Sequence, residues 1–175
     1  AIDMMDYDAD GLYFLTARGK HFYDRLKANE NIAFTAMKGK DTLSCIAVSV
    51  QGKTREIGPE KIPDLFAKNP YMAQIYPNES SRNALTVFQI YQGTGEWFDL
   101  THLPPERASF AFGGASQQSC GYFITSQCTG WGLCHTRCPE KCIDLSSNPA
   151  VIHQEHCIHC GNCMEVCPAG AIQRL

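Results

Sequence analysis

Cysteine supplies the chemistry that this chain most plainly carries. Residues 157–168 read Cys157-Ile-His-Cys160-Gly-Asn-Cys163-Met-Glu-Val-Cys167-Pro168, the C-x2-C-x2-C-x3-C-P spacing that holds cubane iron–sulfur clusters. Three thiolates on a tight loop and the turn after it cap three irons of one cube. The fourth cysteine leaves on a helix toward a second cube, and Pro168 stops that helix and turns the chain away. A zinc knuckle and a disulfide cluster are the competing readings of the same residue types. Four cysteines, a proline and all three gaps agree with the cluster.

The rest of the 175 residues bounds the setting. Ten cysteines would suggest disulfides in a secreted protein. The opening Ala1-Ile2-Asp3-Met4-Met5-Asp6 has neither the basic nor the apolar region of a secretory signal. No stretch approaches the roughly 20 apolar residues that span a bilayer. The expected compartment is therefore a reducing cytoplasm with no membrane partner, its thiols reserved for metal. A formal charge of −3 with no basic run argues against a nucleic-acid partner. The absence of an initiator Met implies a processed N-terminus or a fragment.

All the cysteines except Cys45 lie at or after Cys120. Just ahead of that change, residues 113–119 (Gly-Gly-Ala-Ser-Gln-Gln-Ser) are small and polar and read as a linker. Residues 1–112 are expected to form one domain and residues 120–175 another.

Residues 1–112 read as α+β with strands dominating. Gly11-Leu12-Tyr13-Phe14-Leu15-Thr16 follows the turn signal Asp10-Gly11. Lys20 to Ala28 has helical spacing, with Phe22 and Leu26 one turn apart on one face. Asn31 to Met37 and Thr42 to Val50 read as strands joined at Gly39-Lys40-Asp41. Pro59 opens a short helix with Ile62, Leu65 and Phe66 as its buried stripe, ended by Asn69-Pro70. Ala84 to Tyr91 and Glu96 to Leu100 are expected to form a hairpin that turns at Gln92-Gly93-Thr94-Gly95. This order suggests a small antiparallel barrel with helices at its openings. Cys45, in an apolar strand, reads as a buried thiol, and His21 as a surface residue.

The segments Gly11-Leu12-Tyr13-Phe14-Leu15-Thr16-Ala17-Arg18-Gly19-Lys20 and Leu26-Lys27-Ala28-Asn29-Glu30-Asn31-Ile32-Ala33 resemble the FMN-binding split β-barrels related to pyridoxamine-phosphate oxidase, including nitroimidazole-resistance proteins. The resemblance implies an antiparallel split barrel that binds FMN, with Thr16, Arg18 and Lys20 on the ribityl phosphate and the Ala17 backbone close by. The residues themselves fit that role: a hydroxyl, an Arg and a Lys gather where a helix N-terminus offers free N–H groups. A solvated turn is the plainer reading of Arg18 and Lys20. The resemblance also implies a homodimer with the flavin at its interface, and a face of Tyr91, Trp97 and Phe98 would cover the ring or serve as core. Members of that family begin with two further strands, whereas only about ten residues precede Gly11 here. The barrel is therefore expected to be truncated or its first strands missing.

Residues 120–175 resemble a two-cluster bacterial ferredoxin over their full length. Strand, ligand loop and exit repeat with an offset of 29 residues, as Cys128 to Cys157 and Cys138 to Cys167 show. In that arrangement the last cysteine of each copy serves the other cube. One [4Fe-4S] cluster is thus expected on Cys157, Cys160, Cys163 and Cys138. The first copy has Trp131 where its second cysteine should stand, which leaves Cys128, Cys134 and Cys167. That set would hold a [3Fe-4S] cluster, a [4Fe-4S] cluster completed by Cys142 or Cys120, a cube with one open iron, or no cluster. His135, His153, His156 and His159 are expected to face solvent or donate to cluster sulfur.

A flavin exchanges electrons in pairs or singly and a cluster passes one, so both in one chain would form a relay. The leading expectation is an oxidoreductase that moves electrons between clusters and FMN and reduces a small organic acceptor, with no identified acid or base. A non-catalytic electron carrier docking a redox partner protein, and a redox sensor built on the incomplete cluster, are the alternatives.

Overall fold

The computed structural model describes residues 2–117 and 120–175. They fall into two compact units that interleave along the chain. The first comprises Ala1–Thr35, Ser49–Gly95 and Phe110–Ser116; the second comprises Ala36–Val48, Glu96–Ser109 and Gln117–Leu175.

In the first unit, β1 (Met4–Asp8) and β2 (Gly11–Ala17) form an antiparallel hairpin. Its turn is held by the Asp8 carboxylate, which accepts from the Asp10 N–H at 2.9 Å and the Tyr13 hydroxyl at 2.8 Å. Gly11 is obligatory there: its φ is +141°, and a Cβ would strike the Ile90 carbonyl. Along the chain then come α1 (His21–Ala28), β3 (Asn31–Lys38), β4 (Ile46–Gly58), α2 (Ile62–Lys68), α3 (Met72–Ile75), α4 (Glu79–Arg82), β5 (Leu85–Asp99) and β6 (Glu106–Phe112), of which residues 36–38, 46–48, 96–99 and 106–109 are counted in the second unit. The sheet order is β1-β2-β5-β4-β3, with β6 also on β5. β2 pairs antiparallel with β5 from Leu12↔Ile90 to Ala17↔Leu85.

Alternation along β2 and β5 makes two cores, because successive side chains point to opposite faces. Tyr13, Leu85 and Val87 pack with Ile62, Leu65 and Phe66 of α2 and Met72 of α3. Phe14, Phe88 and Ile90 pack with Leu26 of α1 on the other face. Phe14 and Phe88 are register partners, and their rings stack at 5.7 Å.

The α+β class, the antiparallel sheet, α1 and the buried stripe of α2 match the expectations. Three features differ. Among the described residues the sheet does not close into a barrel, since β1 and β3 stand at opposite ends of its order. Residues 85–99 form one continuous strand, not a hairpin turning at Gln92–Gly95. Gly93 and Gly95 are close-approach glycines: a Cβ on either would meet a β4 carbonyl (Gln51 or Ser49) and a β6 phenyl ring (Phe112 or Phe110). The strand expected from Thr42 begins at Ile46 instead, because the Asp41 carboxylate accepts from the Leu43 N–H and caps a single 3-10 turn over Thr42–Ser44.

The cysteine-rich part of the second unit is built from short elements: β7 (Tyr122–Ile124), α5 (Leu133–Arg137), β8 (Ile143–Asp144), β9 (Val151–Ile152), a 3-10 turn at Gln154–His156, α6 (Asn162–Glu165) and β10 (Ile172–Arg174). β7 pairs antiparallel with β10, and β8 with β9. Tyr122, Ile143, Ile152 and Ile172 pack with the cysteines in one core. Among the described residues no helix is long and apolar enough to cross a membrane.

Candidate iron–sulfur centre

The 29-residue repeat is written into the backbone. β7, α5 and β8 recur as β9, α6 and β10. Gly132, which precedes α5, and Gly161, which precedes α6, both have left-handed φ, at 70° and 82°. Gly130 (φ 78°) corresponds to His159 (φ 56°), and Lys141 (φ 52°) to Gly170 (φ 59°). Each ligand loop thus bends back sharply and delivers the cysteine at its third motif position, Cys134 or Cys163, onto a short helix whose buried cysteine joins the core.

Cys138, Cys157, Cys160 and Cys163 line one small pocket, together with Tyr122, Ile143 and Ile152. Cys138 reaches it from the exit of the first copy, as crossed ligation requires. Cys138, Cys157 and Cys163 are buried and Cys160 is exposed, so one edge of the pocket faces solvent. Among the described residues no three His, Cys, Asp or Glu side chains gather closely enough to share a single metal ion.

Burial pushes the Cys157 thiol up, and burial with the neighbouring Cys157 charge pushes Cys163 up to about 11. Without metal these thiols keep their protons at neutral pH. Iron binding must therefore release protons, since only thiolate is a ligand.

Cys134, Cys128 and Cys167 form a second group. Burial raises the Cys134 thiol first, and the charges of Cys128 and Cys167 beside it raise it further. The Cys167 sulfur accepts from the Ala171 N–H at 3.3 Å, the kind of contact that holds a thiolate ligand in place. Trp131 is 73% exposed. Cys142 is buried, but its sulfur lies 3.5 Å from that of Cys138. It lines the pocket of the complete set and stands with Cys138 and Cys157, not with Cys128, Cys134 and Cys167. Cys120 is exposed, and residues 118 and 119 lie outside the described residues.

The histidines tie the loops to the backbone. His135 Nδ1 pairs with the Ile143 carbonyl at 2.7 Å, and His156 Nδ1 with the Pro105 carbonyl at 3.3 Å. His153 pairs with Glu155 at 3.3 Å, and the His159 ring meets Tyr122 edge-on. A further contact had no signal in the sequence. Arg107 of β6 donates through Nη1 to the Cys157 carbonyl at 3.0 Å and through Nη2 to Glu96 at 2.7 Å. All of these residues belong to the second unit.

In the first unit, Thr16, Ala17, Arg18 and Lys20 occupy the turn between β2 and α1. Thr16 is buried at 4% exposure, register partner of Thr86, whereas Arg18 and Lys20 are exposed. Arg18 is drawn to the end of α4: its N–H donates to the Ala84 carbonyl at 2.9 Å and its guanidinium to the Asn83 carbonyl at 3.2 Å. A broad groove in this unit is lined by Asn31, Gln51, Lys53, Gln92, Thr94 and Ser116, and by none of the four. Tyr91 is half-buried and His21 exposed; in the second unit, Trp97 and Phe98 are half-buried and Cys45 is buried.

Residues 150–173 match the 4Fe-4S binding domain family Fer4. The match spans Cys157, Cys160, Cys163 and Cys167, and this segment is a 4Fe-4S binding domain. No flavin-binding split-barrel family matches the chain. A solved structure is similar to it with a TM-score of 0.46 and 14% identity, over 64% of this chain and 70% of that one; likeness at that level says nothing of activity.

Proposed function

We propose that this protein transfers single electrons through a [4Fe-4S] cluster held by Cys138, Cys157, Cys160 and Cys163. The observation that carries the reading is the lining of one pocket by those four thiols, one of them from the other copy of the repeat. A cluster supplies a one-electron couple there. The chain's own residues shield it: Ile143, Ile152 and Tyr122 exclude water, and the exposed Cys160 edge is the side open to a partner. A second cluster on Cys128, Cys134 and Cys167, with three irons or one open iron, belongs to the same reading.

The finer proposal is an FMN-dependent oxidoreductase that exchanges electrons between clusters and flavin and reduces a small organic acceptor. It is supported by the resemblance of residues 11–33 to the flavin-binding split barrels and by the antiparallel sheet that carries them. With Thr16 buried, the phosphate would face Arg18, Lys20 and the N–H groups of the turn. Flavin would add a two-electron couple, and two copies of the chain would share it.

Anaerobically purified protein tests both levels at once. Iron and sulfide with a broad visible absorbance are expected for the cluster, and stoichiometric FMN for the oxidoreductase. Colourless, iron-free protein or zinc alone would overturn the cluster. Iron without flavin would leave the electron carrier and overturn the enzyme. Reduced protein offered nitroaromatics or quinones should turn over only if the finer proposal is right, and light scattering should then give a dimer.

A further inference from the structure

We propose that Arg107 is a positioning residue that sets the reduction potential of the cluster at Cys138, Cys157, Cys160 and Cys163, with the carboxylate of Glu96 opposing it. The inference rests on the cluster reading above.

Arg107 lies far from the ligand motif in sequence, on β6, yet its guanidinium is bound directly to the backbone of a ligand. Nη1 donates to the Cys157 carbonyl at 3.0 Å while Nη2 holds Glu96 Oε1 at 2.7 Å. One planar fork spans two acceptors, which a lysine ammonium does not do with the same geometry. The Arg107 side chain is only 14% exposed, so its charge acts through protein rather than water; that of Glu96 is 49% exposed and more screened. The same stretch reaches the loop a second time, where His156 pairs with the carbonyl of buried Pro105.

Adding an electron makes a cluster more negative. A fixed cation at its ligand loop favours that state and raises the potential; a fixed anion lowers it. The pair therefore predicts shifts of opposite sign. Glu96→Gln leaves the guanidinium unopposed and should raise the midpoint. Arg107→Gln keeps a donor for the Cys157 carbonyl, removes the cation and should lower it. Arg107→Lys keeps the cation and should return the midpoint toward the wild-type value.

The experiment is a redox titration of the full-length protein and the three variants, with iron and sulfide counted in each sample. The expected result is opposite shifts for Glu96→Gln and Arg107→Gln at unchanged cluster content. Shifts of the same sign, or no shift in either, would overturn the inference while leaving the cluster in place. If Arg107→Gln sheds its cluster, Glu96→Gln and Arg107→Lys still decide: an unmoved Glu96→Gln midpoint overturns it. Wild-type protein without a reducible cluster would instead remove the reading beneath it.

Discussion

The two cysteine loops of the second unit are copies of one backbone that have come to differ in ligands and in anchoring. Both bend through left-handed residues at corresponding positions, Gly130 and Gly132 in the first and His159 and Gly161 in the second. Both place a buried cysteine on a short helix. The second loop presents Cys160 where the first presents Trp131, 73% exposed. The first is held by its own neighbours: His135 pairs with the Ile143 carbonyl, and the Lys141 ammonium donates to the Thr136 carbonyl at 2.9 Å. The second is held by residues distant in sequence, Arg107 and Pro105. The loop's shape is thus the same with Cys160 or with Trp131 at the corresponding position, because shape comes from backbone conformation and the core of Tyr122, Ile143, Ile152 and Ile172. The connection to the rest of the unit has gathered at the loop that keeps all its cysteines.

The sharpest way to break this comparison is to remove one thiol from each side. Cys163→Ser should abolish the [4Fe-4S] cluster of the complete set and with it most of the visible absorbance. Cys134→Ser should spare that cluster and remove only iron belonging to the incomplete set. Equal losses of iron in the two variants would mean that the sets are not separate sites.

A smaller effect is expected from restoring the missing ligand. Trp131→Cys places a thiol where Cys160 stands in the other copy, and Trp131 is exposed enough for its loss to leave no cavity. A three-iron site should gain about one iron per chain as it completes its cube, whereas a cube with one open iron should keep its iron count and change its spectrum. Unchanged iron and an unchanged spectrum would show that Cys128, Cys134 and Cys167 hold no cluster.

Cys142→Ala should matter less again. Because Cys142 sits 3.5 Å from Cys138 among buried residues, the truncation leaves a small void costing about 1 kcal/mol. A lower melting temperature at full iron content is expected. Loss of iron equal to that in Cys134→Ser would instead make Cys142 a ligand of the incomplete set.

What the sequence revealed of this arrangement follows from how local each feature is. Ligand spacing, the repeat and the Trp131 substitution are contained within short loops, and so are the stripe of α2 and the start of α1. Gly93 and Gly95 misled because glycine marks both turns and close approaches, and only the neighbouring carbonyls and phenyl rings decide between them. Arg107 had no local signal: its partner Cys157 lies fifty residues away, and a lone Arg in a strand reads as surface. Sheet closure and the surroundings of Thr16 were equally out of reach, since both depend on strand pairing over long separations.

The smallest expected effect distinguishes the metal-free from the metal-loaded form of the complete set. In the iron-free protein, burial and the nearby Cys157 raise the Cys163 thiol from the ordinary value of 9.0 to about 11. A thiol whose pKa is raised by folding binds its proton more tightly in the native state. Below pH 9 both states are protonated and the group contributes nothing. Between about 9 and 11 the unfolded chain loses the proton first, so stability falls as pH rises, and above 11 the loss is complete. Urea midpoints of reduced, iron-free protein should therefore decline between about pH 9 and about pH 11, with a shallower decline in Cys163→Ala. Cluster-loaded protein, whose thiolates are already committed to iron, should lack this component. A decline equally steep in the loaded protein would mean that Cys163 still carries its proton there and is not a ligand.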